Sequence, residues 1–130
     1  MKKLCFLVSA CLCAVVFIGG CSSSTGNEKL DLAPPPFPTD LSITQIGNGA
    51  VSLTWAPVSA QDLKGYYVYW QGGAVIDTLK ANRIFTSASG ITISDLDYET
   101  TYVFAVSSID LSGNESRLSV NRSGKPYNTT

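Results

Sequence analysis

The side chains able to do covalent or acid–base chemistry are few and unevenly placed. Cys5, Cys11, Cys13 and Cys21 all fall within the first 21 residues, and the chain has no histidine. Neither a Ser-His nor a Cys-His nucleophile pair can be assembled, and after Cys21 there is no His/Cys set to hold a metal. What remains is paired carboxylates, the minimum a glycoside hydrolase needs, with Asp95, Asp97, Glu99 and Asp110 as candidates. All four sit in or beside predicted turns of a short-strand pattern that offers no evident cleft for a sugar ring. They read as solvated turn acids, without the alternating-oxygen spacing of a calcium loop. No catalytic residue, no metal site and no cofactor is expected.

The elements that carry these residues divide into three stretches. Lys2 and Lys3 precede Leu4–Ile18, an almost wholly apolar run with the n-region and h-region order of an export signal. As a helix it would cover roughly 22 Å, short of the roughly 30 Å hydrocarbon core, so cleavage is expected rather than a permanent span. Residues 22–38 are polar and then proline-rich, from Ser22-Ser23-Ser24 to Pro34-Pro35-Pro36-Phe37-Pro38, with neither helical nor strand periodicity. They predict a tether, flexible at the serines and stiffer at the prolines, spanning roughly 23 Å as a coil. Lys2 and Lys3 account for two of the nine basic residues, so the exported part carries seven against ten acidic. A net charge near −3 gives nucleic acid no electrostatic footing.

From Leu41 onward, short alternating runs separated by turn residues predict an all-β antiparallel sandwich of about seven strands. Val51, Leu53 and Trp55 share one strand face; Tyr66, Val68 and Trp70 share another; Ile91 with Ile93 and Phe104 with Val106 complete the expected core. Gly47-Asn48-Gly49 and Gly72-Gly73 turn the chain. Val75-Ile76 and Arg83–Thr86 are weaker strand candidates, and a closing strand is expected around Leu118 and Val120. On the outward faces, Tyr67 and Tyr69, with Val103 and Ala105 beside them, form a candidate apolar, tyrosine-bearing binding patch for protein or glycan.

Two resemblances add to this reading. Ile18-Gly19-Gly20-Cys21 resembles the bacterial lipobox, which implies cleavage between Gly20 and Cys21 and a covalent lipid on the Cys21 thiol. Two or three acyl chains together anchor a protein stably, where one is marginal. Ser22 in the following position implies outer-membrane sorting in a Gram-negative cell, on the periplasmic side or at the surface. Pro38-x-x-Leu41, Val51-x-Leu53-x-Trp55, Gly65-Tyr66-x-Val68 and Leu96 six residues before Tyr102 resemble a fibronectin type III domain. The last pair matches that family's tyrosine corner, in which a hydroxyl bonds upstream backbone.

Together the two resemblances imply a signal at 1–20, a lipid-anchored tether at 21–37, a fibronectin type III-like domain at 38–122 and a tail at 123–130. The family's integrin-binding Arg-Gly-Asp is not present in Asp110-Leu111-Ser112-Gly113-Asn114-Glu115-Ser116, so that activity is not implied. The expected function is a non-catalytic, lipid-anchored envelope module that binds an unidentified protein or polysaccharide. The alternative is a structural subunit or spacer of an envelope complex.

Overall fold

The computed structural model describes residues 29–128, and the fold occupies the part from Leu32 onward. The signal segment, the Gly20/Cys21 cleavage and lipidation site and the serine part of the tether lie outside the described residues. Seven strands form two antiparallel sheets: β1 (Ser42–Gly47), β2 (Ala50–Thr54), β3 (Leu63–Gly72), β4 (Asn82–Thr86), β5 (Gly90–Ile93), β6 (Tyr102–Asp110) and β7 (Arg122–Gly124). One sheet has the order β1-β2-β5 and the other β4-β3-β6-β7. The all-β sandwich expected from the alternation is the fold observed.

The core lies between the sheets because the alternation of each strand turns one apolar face inward. Leu41, Val51, Leu53, Trp55, Tyr66, Val68, Ile93, Leu96, Phe104 and Val106 are buried in one cluster. Trp70, Ile91 and Tyr102 are partly buried against it. Trp55 meets Tyr66 edge-on at 5.3 Å between ring centres, and the Tyr66 hydroxyl accepts a hydrogen bond from the Val58 N–H. The Tyr66 ring thus spends its polar end on a specific neighbour, whereas the Trp55 Nε1–H is buried without a hydrogen-bond partner among the described residues.

Local chemistry sets the registers. Asn48 (φ 50°) and Gly49 (φ 72°) both take positive φ, the two-residue geometry that matches the twist of a β-hairpin. At Gly49 a side chain would also stand 3.0 Å from the Leu96 carbonyl oxygen. At Gly65, beside a register shift in β3, the Phe85 ring and the Thr86 carbonyl fill the space that a Cβ would need.

Three segments differ from the sequence expectations. Val75-Ile76 lies in a loop between β3 and β4: the Gln71 side-chain oxygen accepts from the Asp77 N–H, and the Asp77 carbonyl accepts from Lys80 and Ala81. Residues around Leu118 and Val120 do not form the closing strand; Val120 is 70% exposed. There the Ser116 and Ser119 hydroxyls accept from the N–H groups of Ser108 and Val106, substituting for strand carbonyls. Serine side chains compete with the backbone in this way and break a ladder. The last strand is instead β7, paired with Tyr102–Phe104.

The folded unit consequently extends beyond 38–122. At the front, Pro36 accepts a 2.6 Å hydrogen bond from the Ser108 hydroxyl, and Arg117 covers the Phe37 ring at 3.8 Å. At the back, Pro126 is fully buried and the Tyr127 carbonyl accepts from Asn48. Both ends of the domain are held by contacts with residues far away in sequence, which no local pattern reports.

Candidate functional site

The outward face of the β4-β3-β6 sheet was the expected binding surface. Its register sets Tyr67 opposite Phe85 and Ser107, and Tyr69 opposite Arg83 and Ala105. The patch needs correction, because three of its four members are not accessible: Tyr69 is 4% exposed, Val103 1% and Ala105 0%. Tyr67 alone is partly exposed, and Arg83 lies over its ring at 4.3 Å.

Polar groups close this face. Arg83 donates to the Tyr69 hydroxyl at 3.2 Å, and that hydroxyl donates to Glu115 Oε1 at 2.6 Å. The Ser107 hydroxyl donates to the same carboxylate oxygen, and the Arg83 guanidinium stands 3.8 Å from the other. Glu115 reaches the face because the turn after β6 folds it back beside Ile109. Burial raises the Tyr69 pKa above its usual value, and the hydrogen bond to Glu115 raises it further, against a smaller opposing effect of Arg83. Tyr69 is thereby held as a proton donor to Glu115 in a brace that joins β3, β4 and β6.

The four candidate acids separate into two groups. Asp95, Asp97 and Glu99 lie in the loop before β6 and Asp110 at its far end, roughly 27 Å away at about 3.4 Å per residue. That exceeds the span of a glycosidase acid pair. Within the loop, Asp97 accepts from the Glu99 N–H, and Glu99 pairs with Lys125 at 3.1 Å. The Tyr102 hydroxyl accepts from the Asp97 N–H at 3.1 Å, five residues upstream, and the buried Leu96 donates to the Gly49 carbonyl. Tyr102 and Leu96 thereby tie the two sheets together at this end.

Asp110 is not the solvated turn acid expected from the sequence: it is fully buried beneath the turn that follows β6. Its carboxylate accepts from the Asn114 N–H at 2.8 Å and from the Asn114 side-chain amide at 2.9 Å. Desolvation is the largest single influence on its pKa and pushes it up. The bonds from Asn114, Ser112 and Gly113 together outweigh it and hold the carboxyl below its usual value. A folded pKa below the unfolded one means stability that is present above the ordinary carboxylate range and lost as pH falls through the folded value. Thermal melts between pH 7 and pH 2 are expected to show an acid limb that Asp110→Asn flattens. An unchanged limb in the variant would remove Asp110 as its source. The Asp110-x-x-Gly113-Asn114 spacing is the sequence signal for this cap; Arg83 and Glu115 carry no such signal.

Among the described residues no pocket is enclosed. The family model for the fibronectin type III domain matches residues 35–123. The chain is 36% identical over 94 residues to chitinase Chi52 of Paenibacillus xylanexedens, a match covering 72% of this chain and 16% of that protein. It is 31% identical over 105 residues to the amylopullulanase of Thermoanaerobacterium saccharolyticum, covering 77% of this chain and 8% of the enzyme. The chain therefore spans under a fifth of the length of either relative. In fold it is similar to the fn3 domain of human contactin 1, with a TM-score of 0.65, 16% identity, and coverage of 82% of this chain and 95% of that one. With two sheets in this order, a hydroxyl-tied corner at Tyr102 and a family match over most of its length, the chain belongs to the fibronectin type III domain family.

Proposed function

We propose that the protein is a non-catalytic binding module of the cell envelope, anchored by lipid on Cys21 and presenting its fibronectin type III domain to a protein or polysaccharide. One observation carries the binding half. The stretch that makes up nearly all of this domain recurs as 16% of a chitinase and 8% of an amylopullulanase, a portable module within larger, dissimilar chains. Fibronectin type III domains are typically non-catalytic accessory modules. The anchoring half rests on the order Lys2-Lys3, Leu4–Ile18, Gly19-Gly20-Cys21.

Expression of the full chain in a bacterial host fed radiolabelled palmitate tests the anchor. Label is expected on the wild-type chain in the membrane fraction and on none of the Cys21→Ala variant, which should leave that fraction. Label retained on Cys21→Ala would overturn lipidation at this residue. Co-sedimentation with envelope material, before and after protease treatment, tests binding. Capture that survives protease identifies a polysaccharide ligand, capture lost with protease a protein ligand, and no capture in either arm overturns the binding reading.

A further inference from the structure

The strand directions give the domain two poles. The chain enters β1 at Ser42, opposite Thr54, at the pole that carries the loops after β2 and β6. The other pole carries the Asn48–Gly49 turn, the loop before β6 and the segment after β7. Three contacts gather these last elements. The Tyr98 ring lies against Gly49, whose Cβ position would be 3.4 Å from it. The Tyr127 carbonyl accepts from the Asn48 N–H at 2.7 Å. The Glu99–Lys125 pair, at 3.1 Å, joins the residue next to Tyr98 with the segment that leads to Tyr127.

Tyr98 is 41% exposed and Tyr127 53%. Among the described residues neither ring meets another ring or a cation, and neither hydroxyl has a hydrogen-bond partner. The other aromatic rings near the surface are engaged by the protein itself. Arg83 covers Tyr67, Arg117 covers Phe37, and Phe85 packs edge-on against Tyr67 at 5.7 Å. Open tyrosine faces offer an apolar surface for the C–H face of a sugar ring and a hydroxyl for its polar rim. The flanking ion pair is exposed, contributes little to stability, and can exchange its bond for ligand hydroxyls. Glu99 is neutralised by Lys125, while Asp95 and Asp97 of the same loop leave the pole net acidic, so an uncharged polymer suits this surface better than an anionic one.

We propose that Tyr98 and Tyr127 form a binding site for a neutral polysaccharide at the pole opposite the entry of the chain. The inference rests on the binding reading above, and it moves the contact from the closed sheet face to this pole. Affinity gels containing pullulan or starch, and sedimentation with insoluble chitin, test it on the full chain in a non-sugar detergent. Retention of the wild type by at least one polymer is expected. The Tyr98→Ala/Tyr127→Ala variant should lose about tenfold in affinity, while Tyr98→Phe/Tyr127→Phe keeps most of it. Tyr127→Ala alone, at an exposed position near the terminus, should lose several-fold with an unchanged melting temperature.

Retention unchanged in both alanine variants would overturn the site and leave the binding function standing. Failure of the wild type on every polymer, with protease-sensitive capture by envelope material intact, would overturn the polysaccharide ligand only. Absence of both kinds of capture would overturn the binding reading itself.

Discussion

Phe104→Ala is expected to destabilise the domain by about 3–5 kcal/mol, a cost comparable with the whole stability of many small domains. Phe104 lies in β6 with Trp70 of β3 on one side and Arg122 of β7 on the other. Its side chain is 0% exposed and belongs to the cluster with Leu53, Val68 and Val106 from both sheets. Tyr102 stands beside it, with ring centres 6.4 Å apart. Removing the ring takes away its transfer free energy and leaves a cavity that two hydrogen-bonded sheets cannot collapse to fill. Urea unfolding followed by tryptophan fluorescence measures the loss. A change under about 1 kcal/mol would mean that the sheets close over the gap.

Gly65→Ala is expected to loosen β4 from β3, costing about 1–3 kcal/mol through overpacking. A Cβ at this position would stand 2.6 Å from Phe85 Cζ and 2.7 Å from the Thr86 carbonyl oxygen. The ring can rotate away; the carbonyl belongs to a strand paired with β3 and cannot move without disturbing the Tyr66↔Thr86 register. The two obstacles are separable. In a Phe85→Ala background the same substitution should still be destabilising, by a smaller amount, because the backbone obstacle persists. Hydrogen exchange should be faster across Asn82–Thr86 in Gly65→Ala, with β6 little affected. Full additivity of the two substitutions would show that the Phe85 ring is not part of the obstacle.

Both predictions rest on features with different visibility in the sequence. The strands around Phe104 were legible because Val51/Leu53/Trp55 alternate with Ser52 and Thr54, and Tyr66/Val68 and Phe104/Val106 recur at the same two-residue period of a pleated strand. The Gly65 obstacle was not, since its neighbours Phe85 and Thr86 lie across a pairing whose register no local pattern specifies. The same limit explains the expected patch. Alternation assigned Tyr67 and Tyr69 to the outward face, where they are, but outward does not mean exposed. Arg83 arrives from β4 and Glu115 from beyond β6, and together they seal Tyr69.

For this protein, local sequence determined what depends on neighbouring residues: the short strands, the Asn48-Gly49 hairpin, the turn built on Asp110 and Asn114, and the lack of histidine and cysteine chemistry in the domain. Those features follow from φ preferences, two-residue periodicity and the inventory of side-chain groups. The tertiary structure alone decided which outward side chains are covered, where the domain ends, and that Tyr98 and Tyr127 share a pole. These are properties of segments far apart in the chain, brought together by sheet pairing and core burial, and alternation along one strand carries no information about what packs on top of it.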